Sequence, residues 1–350
     1  MSVTPHPHPH PVPLTRTTSP MGFSRGGIAL AVLCAAAALL PLVTADSFLI
    51  HSAIMVLFFA YMATSWNFLC GYVGQLSLGH AMFSGVGGYV SVLLFTTYGL
   101  SPWIGMLVGG LVAAALSVLI GYPTFRLKGP YFALTTIAFA EIVRIWVENT
   151  DSFLGFRIKG AEGLVVPAVG GDSFWAFQFS GKAPYYYIIL AMLALAILAT
   201  MVMERSKLGY YLKAIRGDRD AAEALGISPT RYTQAAFAIS AFMTALGGSF
   251  YAQFFRYINP ERNMGLELSI DMALMSIIGG QGTPFGPLVG ALLLMPLGEI
   301  SRGYLGGQFL GLHLVIYGVV LMITVLYFPK GLIAPITALA NRLFGRGSRP

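Results

Sequence analysis

The chain has 350 residues, of which 56% are hydrophobic and only 10% charged, and its mean hydropathy is +0.72. Those values exclude an ordinary soluble domain, where about a quarter of residues carry charge. The formal charge of +7 would point a soluble protein toward nucleic acid. Here the basic residues sit in short loops and in the tail, the distribution that orients membrane proteins, so lipid is the expected surrounding and no nucleic acid is. Cys34 and Cys70 lie far apart in apolar runs, without histidines or acids at ligand spacing. That pattern excludes a disulfide framework and a zinc site.

Residues 1–26 read as a disordered tail: the first twenty are rich in Pro, Thr and Ser and bury too little apolar surface to fold alone. His6, His8 and His10 alternate with prolines there, and disorder is preferred over a metal site for this composition. The first apolar run, residues 27–43, follows Arg16 and Arg25 and ends in Val43-Thr44-Ala45. It is either a cleaved signal or a retained anchor, and a chain with many later spans favours the anchor.

Further apolar runs follow at 48–70, 75–98, 102–122, 130–148, 184–203, 234–257, 266–282, 285–299 and 309–328. Each is near the ~20 residues that a membrane-spanning helix needs, although two are short. The expected fold is therefore all-α, a polytopic membrane bundle of about ten transmembrane helices, some short or broken. Residues 27–333 form its membrane domain, with a cytoplasmic coupling loop at 204–233, an outer loop at 149–183 and a basic tail at 334–350. With the amino terminus inside, Arg126, Lys128, six basic residues of the central loop, Lys330, Arg342, Arg346 and Arg349 all fall on the inner side. This asymmetry places both termini in the cytoplasm. In the outer loop, Phe174, Trp175 and Phe177 either fold over the bundle or sit at headgroup level, and the headgroup position is preferred.

The charged island at 204–232 stands out in so apolar a chain. Asp218 is placed to cap a short helix through Asp220, Ala221, Ala222 and Glu223, with acids near its positive end and Gly226 to end it. Pro229 blocks any continuation. A short capped helix with small residues on one side suits docking in a cleft of another protein.

Glycine marks two other places. The run from Gly71 to His80 opens the third expected span with Gln75, Ser77 and His80, and Asn67 precedes it. These polar groups need partners inside the bundle because lipid offers none. They either line a broken, polar pathway or are satisfied side chains in glycine-mediated packing. The second cluster, Gly279-Gly280-Gln281-Gly282-Thr283-Pro284-Phe285-Gly286-Pro287, breaks the chain between two short runs. Such irregular backbone requires cover from protein or a water-filled cavity. Glu141 with Arg144, and Glu299 with Arg302, are spaced to pair along a helix. No isolated acid or histidine series marks a proton relay.

The chain resembles the LivM-type permease subunit of branched-chain amino acid ABC importers. The resemblance rests on Gly74-Gln75-Leu76-Ser77-Leu78-Gly79-His80-Ala81, on Gly129-Pro130-Tyr131-Phe132-Ala133-Leu134-Thr135-Thr136-Ile137-Ala138-Phe139-Ala140-Glu141, on Ser269 with the 279–290 glycine cluster, and on Phe328-Pro329-Lys330-Gly331-Leu332. Asp220-Ala221-Ala222 with Gly226 is similar to the EAA loop of such permeases, Asp standing for the usual Glu. Two departures are Ile158-Lys159-Gly160-Ala161-Glu162-Gly163-Leu164, where Thr-Gly-Gly-x-x-Gly-Leu is common, and Gly88, where Ala is usual.

The resemblance implies an inner-membrane subunit that is not itself an enzyme. Its implied partners are a homologous LivH-type permease, two cytoplasmic ATPases of LivG and LivF type, a periplasmic substrate-binding protein and a small amino-acid substrate. The chain has no Gly-x-x-x-x-Gly-Lys-Ser/Thr phosphate loop, so no cofactor of its own is expected and ATP is bound by the partners. Asp218, Asp220, Ala221, Ala222, Glu223 and Gly226 are then the ATPase-docking residues; Asn67, Gln75, Ser77, His80, Ser269, Gln281 and Thr283 are the candidate pathway residues, and no metal or catalytic residue is expected. The alternatives are an ion-coupled secondary carrier, or the same class of importer carrying urea, amides or aromatic acids.

Overall fold

The structure, a computed structural model, describes residues 29, 32–43, 46–125, 127, 129–153, 155–305, 312–328, 331–335 and 337. In chain order its helices are α1 (Val32–Val43), α2 (Ser47–Val73), α3 (Ala81–Tyr98), α4 (Pro102–Thr124), α5 (Pro130–Glu148), α6 (Ala183–Arg205), α7 (Lys207–Gly217), α8 (Arg219–Ala224), α9 (Pro229–Phe255), α10 (Pro260–Met264), α11 (Leu266–Gly280), α12 (Gly286–Leu305) and α13 (Leu312–Tyr327). There are also a 3-10 turn at Gly160–Glu162 and, among the described residues, four two-residue strands: β1 (Ser152–Phe153), β2 (Phe156–Arg157), β3 (Leu164–Val165) and β4 (Tyr257–Ile258).

Six of these helices, α2, α3, α4, α5, α6 and α9, are long and apolar enough to cross a bilayer. Of the other expected spans, α11 and α13 are shorter, with 15 and 16 residues, while α12 has 20. With 15 residues, α11 rises about 22 Å, less than the ~30 Å hydrocarbon core. The third expected span also starts later than its apolar pattern suggests. Gly74 adopts φ 79 and closes α2 with a bond from its N–H to Cys70 O, so residues 74–80 leave the helix before α3 begins at Ala81. The broken helix anticipated at the glycine run is thus a break between two helices, and Gln75 and Ser77 lie in the break.

Helix α9 is the hub of the bundle and packs on α2, α3 and α4. Its closeness to α3 depends on having no side chain at Gly248, where a Cβ would stand 1.8 Å from Ser84 O. Small residues are the usual means of bringing helices together in lipid, since apolar side chains gain nothing from leaving it. An aromatic layer fills the space above the contact: Phe83 meets Phe237 edge-on at 5.3 Å and Phe125 stacks on Phe132 at 5.4 Å. On the side of α5, Arg144 pairs with Glu141, as its spacing suggests, and also with Glu148. The Arg302 side chain lies outside the described residues.

The segment between α5 and α6 folds into a compact cap. Strands β1 and β2 form one hairpin and β3 pairs with β4, tying this segment to the end of α9. Gln178 donates to Pro167 O at 2.8 Å and accepts from Val169 N–H at 2.9 Å. Hydroxyl and indole donors of Ser101 and Trp103 at the start of α4 reach Trp175 O and Phe174 O at 2.6 and 2.8 Å. Within this cap, the Ser180 hydroxyl and amide hold the Asp172 carboxyl below the usual carboxylate range. Phe174 and Trp175 are exposed, whereas Phe177 is 0% exposed and packs its ring 4.5 Å from Trp103, which overturns the headgroup placement for that residue. Gly88 opens the space that β4 occupies, since a methyl there would meet Ile258 Cδ1 at 2.4 Å.

Two stability predictions follow from backbone geometry. Gly248→Val forces α9 away from α3 and costs at least about 2 kcal/mol, read as a lowered thermal midpoint in detergent; Gly217→Ala, with open space around it, stays within about 0.5 kcal/mol. Lys159 carries φ 60, a left-handed conformation that costs a side-chain-bearing residue about 1 kcal/mol, so Lys159→Gly raises the same midpoint.

Candidate functional site

The charged island becomes two helices at one end of the bundle. Ser206 closes α6 and caps α7, accepting from Gly209 N–H. The apolar side of α7, Leu212 and Ile215, is buried against the bundle while Lys213 faces out to Glu204 at 2.6 Å. The sequence reading identified only the short helix and passed over this amphipathic eleven-residue one. Its signal is the spacing of Leu208, Leu212 and Ile215 among charges.

Asp218 then turns the chain and caps α8, its carboxylate accepting from the N–H groups of Asp220 and Ala221, each at 2.9 Å. At the other end Gly226 takes φ 83, Gly226 N–H bonds Glu223 O at 2.9 Å and Ile227 N–H bonds Ala222 O at 3.1 Å. This paired closure with a left-handed glycine satisfies the last carbonyls of so short a helix. Both cap residues therefore play the parts their positions suggest.

The exposed side of α8 carries Asp220, Ala221, Glu223, Ala224 and Leu225, the last 82% exposed. Ala222 is different: it is 2% exposed and turned into the protein's own core. Among the six residues assigned to docking it is a seat for α8 on the bundle rather than a contact surface. A groove of about 540 Å³ runs beside the helix, lined by Tyr122, Glu223, Gly226, Ser228, Arg231 and Gln234 among others.

Two arginines fasten this end to the spans. The Arg219 guanidinium donates to Phe125 O at 2.9 Å, just past α4, and Arg216 donates to Gly71 O in the last turn of α2. The second bond lands where the two glycine breaks meet. Asn67 Oδ1 accepts from Gly282 N–H at 2.8 Å and from the Ser276 hydroxyl at 3.1 Å, and its amide donates to Thr283 O at 3.0 Å. Gln281 donates to Cys70 O at 2.9 Å, and Leu332 N–H reaches Ile278 O at 2.9 Å, bringing the closing motif onto the same break. Pro329 and Lys330 of that motif lie outside the described residues.

Deeper in the bundle, the break at 74–80 is wired by side chains. Trp66 Nε1 donates to Ser77 O at 2.7 Å, Leu78 N–H to Thr136 Oγ1 at 3.2 Å and Ala81 N–H to Ser269 Oγ at 2.9 Å. His80 sits between two hydroxyls, with Nδ1 2.9 Å from Ser77 Oγ and Nε2 2.9 Å from Ser240 Oγ. Ser240 Oγ also lies 2.6 Å from Ser65 O. A carbonyl only accepts, so the Ser240 hydrogen goes there; Nε2 must then carry the hydrogen it gives to Ser240, and Nδ1 accepts from Ser77. The imidazole is neutral and fully used.

Of the seven candidate pathway residues, Asn67, Ser77, His80 and Ser269 are buried and bonded inside the protein, whereas Gln75, Gln281 and Thr283 are half-buried near the α7–α8 end. Sequence reasoning missed their partners Thr136, Ser240 and Ser276, because a lone hydroxyl in an apolar helix carries no sequence signal of what it bonds.

A family model described as the permease component of the branched-chain amino acid transport system matches residues 48–325. The chain belongs to this family. Among the permease's relatives, the high-affinity branched-chain amino acid transport system permease protein LivM of Salmonella typhimurium is 29% identical over 299 residues, covering 80% of this chain and 69% of that protein. LivH of the same organism is 23% identical over 292 residues, covering 79% of this chain and 91% of that one. The fructose import permease FrcC of Rhizobium meliloti is 26% identical over 203 residues, covering 56% and 55%. No solved structure matches the chain. With its apolar helices, the permease is a multi-pass membrane protein.

Removing the α8 cap has a measurable consequence. Asp218→Ala leaves two helix-end N–H groups without their acceptor and costs about 1 kcal/mol, so amide exchange at Asp220 and Ala221 speeds several-fold in a hydrogen-exchange experiment, and Asp218→Ser restores most of the protection.

Proposed function

We propose that this permease forms half of the translocation pathway of an ATP-driven importer of branched-chain or related amino acids. Its other half is a homologous, LivH-like permease. A periplasmic binding protein delivers the substrate, and two cytoplasmic ATPases bind and hydrolyse the ATP, so this chain carries no cofactor. It lies in the bacterial inner membrane with both termini and the α7–α8 end in the cytoplasm.

The observation that carries the reading is the family match over residues 48–325 together with a doubly capped, outward-facing helix in the longest charged stretch of the chain. Docking is made by Asp220, Ala221, Glu223 and Leu225, with Asp218 and Gly226 fixing the helix ends. Arg219 and Arg216 pass the motion of α8 to the ends of α4 and α2, and α2 carries it through Asn67 to the break at 281–283. Gln75, Gln281 and Thr283 are the groups best placed to change partners as that junction shifts. Asn67, Ser77, His80 and Ser269 serve the pathway by holding the broken backbone in place.

Gly226→Val tests the coupling role, because a β-branched residue at φ 83 is strained in the left-handed region and must tilt α8. Membrane insertion is retained, while uptake by the reconstituted importer falls by about tenfold or more, equivalent to about 1.4 kcal/mol of lost coupling, and substrate-loaded binding protein no longer stimulates the ATPases. Unchanged uptake overturns the docking assignment. Gradient-driven uptake by the purified permease alone, without ATPases, replaces the importer with an ion-coupled carrier.

A further inference from the structure

At the end of the bundle away from α7 and α8, a cavity of about 380 Å³ opens between the first turns of α2 and α11, the last turn of α9, and α10. That volume is within the range of small-ligand sites and holds on the order of ten waters. Part of the lining is apolar, with Met55, Phe58, Phe59, Leu268 and Met295. The rest carries the carboxyl groups of Glu261, Glu267, Asp271 and Glu299, the His51 imidazole and a single guanidinium, Arg262.

Two buried polar atoms point to a ligand here. Ser84 Oγ and Asn263 Oδ1 both line the cavity, their residues are 0% and 2% exposed, and neither atom has a hydrogen-bond partner among the described residues. Asn67 and His80 are bonded throughout, and other buried polar atoms without a partner, such as those of Thr233 and Gln253, do not line this cavity. A buried polar atom left alone costs about 1–3 kcal/mol, and an amide oxygen and a hydroxyl can both accept, so two of them beside a cavity suit a donor that arrives from outside. The excess of carboxylates makes that donor a cation. It is not a bare metal ion, because among the described residues no three His, Cys, Asp or Glu side chains converge closely enough to hold one.

We propose that this cavity is a substrate subsite for an α-amino acid zwitterion with an aliphatic side chain. The ammonium is taken by Asn263 Oδ1, Ser84 Oγ and the acidic lining, the carboxylate by Arg262, and the side chain lies against Phe58, Phe59 and Met295. Such a site admits leucine and discriminates against aromatic acids and other anions, which lack the ammonium and meet the acidic lining. The assignment rests on the importer reading above and adds to it a point in the membrane subunit where amino acids are recognised after release by the binding protein.

The test uses the complete importer in liposomes, with Cys34→Ser as background and buried Cys70 left in place. Ser84→Cys and, separately, Asn263→Cys are treated from the outside with a trimethylammonium-bearing and a sulfonate-bearing methanethiosulfonate of similar size. The cationic reagent reacts faster by roughly tenfold. Leucine at about twice its dissociation constant slows the reaction about threefold, whereas 4-methylpentanoate, the same side chain without the ammonium, does not. Where only one thiol reacts, that variant decides. Equal rates for the two reagents, protection by 4-methylpentanoate as strong as by leucine, no protection by leucine, or no reaction at either position overturns the subsite. ATP-driven leucine uptake is measured beforehand in liposomes holding the Cys34→Ser importer with Ser84 and Asn263 intact: uptake there without protection of either thiol removes the subsite and leaves the importer, while absence of any ATP-driven amino-acid uptake there removes the importer reading itself.

Discussion

The structure depends on one constraint: a backbone that leaves helical geometry inside a bilayer must find every hydrogen bond within the protein, because lipid supplies none. Among the described residues, the two glycine runs leave the helix at 74–80 and at 281–285. The chain satisfies both breaks from the same few side chains. Asn67 serves the second break with two bonds and meets Ser276 on α11 with a third, while its neighbour on α2, Trp66, serves the first. Because consecutive residues of one helix hold both, the breaks are fixed relative to each other, and α2 becomes the strut on which α3, α11 and α12 are hung. The neutral His80 extends this by linking Ser77 in the first break to Ser240 on α9.

The same strut reaches the charged end. Arg216 donates to Gly71 O, four residues beyond Asn67, so α7 bears on α2 at the turn where the breaks meet. Arg219 does the same for α4 through Phe125 O. Charge-assisted bonds of this kind are stronger than neutral ones, and each ends on a carbonyl near a helix terminus, where cations are favoured. A six-residue helix has little stability of its own. Its rigidity comes from Asp218, from the Gly226 closure and from the burial of Ala222. Displacing α8 as a body is therefore easier than unravelling it, which is the property required of a part that transmits a push.

Much of this was legible in the sequence. Asp218 and Gly226 were readable as caps because capping is local chemistry, decided within a few residues. The glycine runs announced broken backbone, and the Glu141–Arg144 spacing announced a pair. Long-range features were not readable. An apolar run of about 17 residues at 266–282 reads as a span, but Gly280 and Gly282 take left-handed φ values of 135 and 77 and end the helix early. Hydropathy sums composition and is blind to where a glycine turns, so it does not tell the six long apolar helices among the described residues from the shorter pieces. Phe177 was assigned to the headgroups with its neighbours because composition alone cannot distinguish one aromatic in a Phe-rich loop from another. Its burial is decided by Trp103 and Phe250, which are more than seventy residues away in each direction.

The partition of polar groups also separates what makes the fold from what selects the cargo. Asn67, Ser77, His80 and Ser269 are spent on backbone and side chains of this chain, so their chemistry is fixed by the need to cover broken helices and is indifferent to the solute. Relatives named for branched-chain amino acids and for fructose match this chain, and a framework whose polar groups are bonded within the chain suits such a range. Ser84 and Asn263 are the contrary case, buried but unbonded beside a charged cavity. Their cost to folding is not recovered inside the chain. Ser84 sits on α3 where Gly248 brings α9 against its carbonyl, so its backbone serves the fold while its hydroxyl is left for the cavity. One residue thus joins the packing that closes the bundle to the site that would recognise what passes through it.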